Sequence, residues 1–275
     1  MNILLVTDID NPGLKEDCMI ARAFINDGHQ VTITRENYDE KLDDMFDIIV
    51  IRNIWHLNKD NYEHHKNNIN ILIKRLKSKR IPTINLNGIF DNQGKIYLQE
   101  LYKKGYPVIP SSVNINDFSN YNDNDLLLMK PINGYDGYGI IEKEKKDIIN
   151  NDNYLIQPKI NFSKEVEFYF LNKEFQYVLE FVPSKKPVYP IPNLYNYTQE
   201  ELEIAQSFAN LCNDGFCGVQ RIDFLKTVDG NLLLLEIGDS APYLNLNSLD
   251  EETRNSFINN YKNMVYDYYD SVKRK

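Results

Sequence analysis

The sequence predicts an α/β N-terminal lobe followed by a longer α+β region, and three features predict it. Apolar strands alternate with amphipathic helices through about residue 85. Strands at hairpin spacing then take over. The 275-residue length, with 42% hydrophobic and 26% charged residues, can bury the cores that both patterns need.

Residues 1–7 form a short apolar run that reads as a buried strand, 14–28 as a helix closed by a glycine, and 30–34 as a second strand, which together make a βαβ opening. Residues 46–54 are another apolar strand, 61–79 a lysine-rich amphipathic helix and 81–85 a short strand, so the alternation continues. No G-x-G-x-x-G follows the first strand, which removes the main support for a dinucleotide fold and leaves this lobe as the expected substrate side. After a helix at about 94–104, strands are expected at 126–131, 154–160, 165–170 and 175–181. A loop rich in proline and tyrosine, 183–197, leads to a helix opened by the capping box of Thr198 with Glu201. Strands 218–225 and 231–238 follow, joined by a turn at Asp229 and Gly230, and a last helix is expected to open at a second capping box, Ser248 with Glu251. No internal repeat is present.

The formal charge of -9 disfavours any partner held mainly through phosphate contacts, so nucleic acid is not expected as a ligand. No segment approaches the roughly 20 apolar residues that span a bilayer, so no membrane is expected and the cytoplasm is the expected compartment. Cys18, Cys212 and Cys217 are spaced like neither a zinc ribbon nor a redox pair and read as reduced thiols. His64 and His65 diverge by about 100° on a helix, and read as a solvated face rather than a metal site.

Two segments carry chemistry. The first, from Lys130 to Ile140, reads K-P-x-x-G-x-x-G-x-G-I, with Gly134, Gly137 and Gly139 following an apolar strand. Glycines let a backbone approach phosphate closely, and a lysine at the strand end meets the negative charge; a plain glycine-rich hairpin is the competing reading. The second reads V-Q-R-I-D-F from Val219 to Phe224, where a strand's period of two puts Arg221 and Asp223 on one face and Ile222 and Phe224 on the other. The next strand is almost wholly apolar until Glu236, a charge that needs a partner if buried. Two carboxylates on neighbouring strands suit Mg²⁺. The competing reading is a structural ion pair between Arg221 and Glu236. Neither a Walker A sequence nor a G-x-S-x-G elbow occurs.

Together these pieces resemble the ATP-grasp superfamily, in particular its glutathione-synthetase-like ligases, a branch that includes the O-ureido-serine cyclo-ligases. The likeness covers nearly the whole chain. It implies an α/β lobe at 1–85 ahead of an α+β ATP-grasp fold at 86–275, with a nucleotide-binding part at about 115–182 and catalytic strands at about 216–240. The run Arg52-Asn53-Ile54-Trp55 is similar to the end of a strand in that preceding lobe. By the resemblance, Lys95 and Lys130 reach the nucleotide phosphates, and Gly134, Gly137 and Gly139 form the phosphate-covering loop. Gln157, Pro158 and Lys159 then lie at the hinge that reads adenine through its backbone, and Glu165 approaches ribose. Lys164 stands where the family has glycine and Glu167 where it has serine.

The closing R-x-D and carboxylate strands imply Asp223 and Glu236 as metal ligands and Arg221 as a catalytic stabiliser of phosphate or intermediate. Relatives carry Asn or a further carboxylate two residues beyond Glu236, where this chain has Gly238. Asp239 is the nearest replacement, although its side chain belongs to the opposite face of a regular strand.

The expectation is an ATP- and Mg²⁺-dependent ligase that joins the carboxylate of a small metabolite or peptide to an amine through an acyl phosphate, releasing ADP and phosphate. Intramolecular cyclisation and a degenerate nucleotide-binding module are the rivals. Arg52, ending a strand at the inter-lobe edge, is the candidate for holding the substrate carboxylate, against a salt bridge of purely structural use. Trp55 either lines the same cleft or packs the lobes together. Enzymes of this kind often form dimers; a homodimer is compatible with the chain, but no exposed heptad requires one.

Overall fold

In the computed structural model of the chain, the described residues are all but 11–12, 55–61, 87, 89, 91–93, 135–136, 138, 184–190, 213–215 and 275; the side chains of 62–66 are also outside the description. The expected contribution of Trp55 therefore lies outside the described residues.

Four strands open the chain: β1 (Asn2–Val6), β2 (Gln30–Thr34), β3 (Ile48–Ile51) and β4 (Thr83–Ile84), all parallel, in the order β2-β1-β3-β4. Helices α1 (Leu14–Asn26) and α2 (Tyr62–Lys79) connect them. The central strands are apolar without interruption because both faces are covered. In β1, Ile3 and Leu5 enter one core while Leu4 and Val6 enter another that includes Leu72 and Leu76 of α2.

The second sheet is antiparallel. It comprises β8 (Phe162–Leu171), β9 (Glu174–Phe181), β10 (Asn193–Leu194), β11 (Val219–Thr227) and β12 (Leu232–Gly238), in the order β10-β9-β8-β11-β12. Val166, Phe168, Ile222 and Phe224 face helices α3 (Ile96–Lys103) and α4 (Gln199–Ala209) through a buried cluster that includes Leu98 and Phe208. On the other face, Tyr169, Leu171 and Val219 pack with α1, the first sheet, and Phe257, Tyr261 and Val265 of α5 (Glu251–Lys273). One core thus crosses residue 85 and ties the first sheet to the second.

The third sheet, β6-β5-β7, is built from β5 (Leu126–Pro131), β6 (Ile141–Glu144) and β7 (Tyr154–Pro158). Strand β6 escaped sequence reading because its I-E-K-E residues are largely exposed and have no apolar face.

Two expectations are corrected. The Thr198–Glu201 capping box forms, but Ser248 does not cap the last helix. The chain makes a further short turn, Leu246–Ser248, with Leu246 and Leu249 both buried, and Asp250 caps α5 by accepting from the Thr253 amide. The thiols of Cys212 and Cys217 are also not free: their Cα atoms lie 6.3 Å apart and they form a disulfide, while Cys18 stays free and exposed.

Candidate active site

The second sheet changes character along one face. Where β8 and β11 carry Tyr169 and Val219 that face is hydrocarbon; further along it carries Glu165 and Glu167 from β8 and Arg221 and Asp223 from β11. Alternation forces this, since Val166, Phe168, Ile222 and Phe224 are all drawn to the opposite core. The register sets Asp223 directly between Glu167 on β8 and Glu236 on β12.

Arg221 donates from Nε and Nη2 to the two carboxylate oxygens of Asp223, at 2.8 and 2.7 Å. It stands 3.7 Å from Glu167 and 3.9 Å from Glu236. The expected cross-strand pair of Arg221 with Glu236 is therefore the longer contact, and the guanidinium is committed along its own strand. Glu236 is instead paired with Lys95, whose Nζ donates to Oε2 at 3.0 Å, and that ammonium holds the Glu236 carboxyl down at about 2. Burial pushes Asp223 up to about 7 against the pull of Arg221. Burial, with the Asp223 charge adding to it, likewise pushes Glu165 up to about 7. Glu167 is also raised by burial.

Lys130 ends β5 on the sheet face it shares with Leu128, Leu155 and Gln157, because Lys130 pairs with Leu155 and Leu128 with Gln157. Its side chain is buried, and among the described residues its ammonium has no hydrogen-bond partner. Burial, reinforced by the Lys95 charge, lowers it to about 8. Lys95 is brought alongside by two contacts that were not legible in sequence. Its amide donates to the Ile132 carbonyl at 2.8 Å, and Gly94 at φ +66° lies so close to residues 132–133 that a Cβ would come within 2.7 Å of Asn133 Oδ1. The Tyr97 hydroxyl accepts from the Ile237 amide at 2.7 Å, pinning the first turn of α3 beside Glu236.

The loop joining β5 to β6 contains Gly134, whose amide donates to the Pro131 carbonyl, and Gly137 and Gly139 at φ +67° and +73°. At the hinge, Gln157 is fully buried; its Nε2 donates to Ser111 Oγ at 2.7 Å, while Oε1 has no partner among the described residues. Pro158 pairs with Leu127, and the Lys159 side chain runs outward to Glu142 at 2.7 Å.

Two candidates are elsewhere. Arg52 is sealed: Nε donates to Asp17 at 2.9 Å, Nη2 to Glu16 at 2.8 Å and Nη1 to the Pro242 carbonyl at 3.2 Å, with no exposed surface left for a substrate carboxylate. The structural salt bridge is the correct alternative there. Asp239 turns away from Asp223, its Oδ2 accepting from the Phe90 amide at 3.1 Å, as strand alternation requires. Among the described residues, the carboxylates close enough together for a cation are Glu165, Glu167 and Asp223, whose oxygens lie within 4.8 Å of one another. Hard oxygen donors of this kind fit Mg²⁺. Sequence reading missed Glu167 as a candidate ligand, although its spacing of two from Glu165 already put both on one face.

No protein-family model and no curated protein matches the sequence. Solved structures do match the fold. A D-cycloserine synthetase aligns over 95% of this chain and 100% of its own, with a TM-score of 0.72 and 16% identity. A Chryseobacterium gregarium RiPP-associated ATP-grasp ligase, in complex with ADP and a leader and core peptide, aligns over 97% and 96%, with a TM-score of 0.66 and 13% identity. The Bacillus anthracis D-alanine–D-alanine ligase complexed with ATP aligns over 100% and 99%, with a TM-score of 0.65 and 14% identity. The chain has the ATP-grasp fold, as the sequence resemblance implied, and it spans almost the full length of these ligases.

Proposed function

We propose that the chain is an ATP-dependent carboxylate–amine ligase working through an acyl phosphate, with residues 1–85 as the substrate lobe and 86–275 as the ATP-grasp part. The observation that carries the proposal is the charged half-face of the second sheet, where Glu165, Glu167, Asp223 and Glu236 meet Arg221, Lys95 and Lys130. Lys130 and Lys95 bind the phosphate oxygens, and Gly137 and Gly139 let the β5–β6 loop approach them. Backbone groups at Gln157 to Lys159 take the base. A substrate carboxylate oxygen attacks the γ-phosphorus as ADP leaves; the amine then attacks the acyl carbon, phosphate leaves and the amine loses a proton. Arg221 stabilises the oxyanion of that second step. Magnesium held by Glu165, Glu167 and Asp223 would neutralise charge spread over the phosphoryl oxygens.

Fold likeness to a D-cycloserine synthetase supports a second version in which amine and carboxylate belong to one molecule and the product is a ring. The cytoplasm is the proposed compartment; among the described residues no helix is long and apolar enough to cross a membrane.

Calorimetric titration with a nonhydrolysable ATP analogue, with and without Mg²⁺, tests the proposal on the wild type and on Asp223→Ala and Glu167→Ala. Magnesium-dependent binding weakened by both substitutions supports it and leads to a screen of carboxylates and amines for ADP release. An adduct of two substrates or a cyclised single one then decides between the two versions. Absence of nucleotide binding would overturn both.

A further inference from the structure

Behind Glu167 runs a polar chain that leads out of the site. Tyr169, two residues along the same strand face, donates its hydroxyl proton to Glu167 Oε2 in a short hydrogen bond. Asn245 Nδ2 donates to that hydroxyl at 2.9 Å and lies 3.5 Å from the same carboxylate oxygen. The tyrosine thus gives its one proton to Glu167 and a lone pair to Asn245. With Oε2 held, Oε1 is the oxygen facing the site, where Arg221 stands 3.7 Å away.

Asn245 reaches this place from a left-handed backbone, φ 55° and ψ 31°, a conformation asparagine tolerates better than most residues. The turn carrying it is fastened at four points. Arg52 Nη1 donates to the Pro242 carbonyl at 3.2 Å, and the Leu244 and Leu246 amides donate to the two oxygens of Glu16 at 2.9 and 3.4 Å. The Tyr177 hydroxyl donates to the Leu244 carbonyl at 2.5 Å, and the Tyr177 ring stacks on Tyr169 with centroids 4.3 Å apart. Leu244 and Leu246 are fully buried.

We propose that Asn245, acting with Tyr169, is a positioning residue for Glu167. It turns that carboxylate so that a single oxygen is offered to the cation site, and the sealed Arg52–Glu16 pair sets its place by holding the turn that carries it. The inference rests on the ligase reading, with Glu167 among the cation ligands. Such outer partners of a ligating carboxylate commonly change metal affinity by about 10–100-fold.

The test is Mn²⁺ binding to the full chain, followed by loss of the free-ion electron paramagnetic resonance signal in the presence of a nonhydrolysable ATP analogue. Asn245→Gly keeps the left-handed turn and removes the donor; Tyr169→Phe keeps the ring stack and removes the hydroxyl. Each is expected to weaken Mn²⁺ binding by about tenfold or more. The double variant should be no weaker than the stronger single one, since both act on one oxygen, and neither change should matter in a Glu167→Gln background. Wild-type Mn²⁺ affinity in both variants, even with a lowered melting temperature, overturns the inference and leaves the chain a merely structural one. An effect that persists in Glu167→Gln overturns it too. If the wild type binds no Mn²⁺ with the analogue, the ligase reading itself fails and the inference falls with it.

Discussion

Arg52 and Arg221 each end up among carboxylates, in two clusters that differ in how completely their charges are satisfied. Around Arg52, all three guanidinium nitrogens have partners, and the acids collect further donors: Thr7 to Asp17 at 2.6 Å, and Asn53 to Glu16 and Asp17 at 3.2 and 3.0 Å. Nothing in that cluster is exposed to solvent beyond the edge of Asn53. Around Arg221 the acids outnumber what one guanidinium can serve, the Glu236 side chain is 35% exposed, and the buried Lys130 ammonium close by has no partner among the described residues. Buried charge alone is therefore a poor marker of a site in this protein. Charge left incompletely compensated beside a partly exposed group such as Glu236 is the better one.

The largest test of that contrast is Arg52→Met. It leaves Glu16 and Asp17 buried without their cation and is expected to cost about 3–5 kcal/mol of stability in urea or thermal unfolding. Arg221→Met should cost much less, because Asp223, already near 7, can take up a proton when its partner is lost. Equal losses would erase the distinction between the clusters. Next in size, Asp223→Asn should lower Mg²⁺-dependent binding of the ATP analogue by at least the ~10–100-fold typical of outer-shell changes, with the melting temperature unchanged or raised as crowding among the acids is relieved. A fall in melting temperature with full nucleotide binding would place Asp223 with Arg52 as a structural residue.

Lys130→Met is expected to weaken the analogue by about tenfold, the worth of a charge-assisted contact. The wild-type lysine also makes affinity depend on pH. Its free-protein value of about 8 means that it is charged below pH 8. Above it, binding a phosphate must first take up a proton, so affinity falls as pH rises through about 8 by as much as tenfold per pH unit. A calorimetric pH series should show that slope in the wild type and lose it in Lys130→Met. The smallest effect belongs to Gln157, whose buried Oε1 has no partner among the described residues. Gln157→Met should leave stability unchanged or slightly higher while weakening the ATP analogue by roughly 1 kcal/mol, if a donor on the base fills that acceptor. Unchanged affinity would assign the hinge to backbone contacts alone.

Much of the architecture was legible from local pattern. The uninterrupted apolar runs of β1 and β3 marked a parallel sheet covered on both faces, and the R-x-D spacing placed Arg221 and Asp223 together opposite Ile222 and Phe224. The Thr198–Glu201 box opened α4 as expected. Strand β6 was not legible because it has no buried face, and the start of α5 was misplaced because Ser248 and Asp250 offer competing caps that only the burial of Leu249 separates.

Which residues share a face follows from local order alone, a period of two along a strand or 3.6 along a helix. Local order thereby determined the charged pair on β11, the glutamates of β8 and the lysine at the end of β5. Which of these charges meet was set by packing between distant elements. Arg52 was sealed by residues 190 positions away at Pro242. Lys95 was carried to Glu236 by the docking of α3 on β12, and Asp239 was turned to Phe90 rather than to Asp223. Those outcomes depend on how whole elements pack and on which groups lose their water when they do. Neither is encoded in the spacing of neighbouring residues.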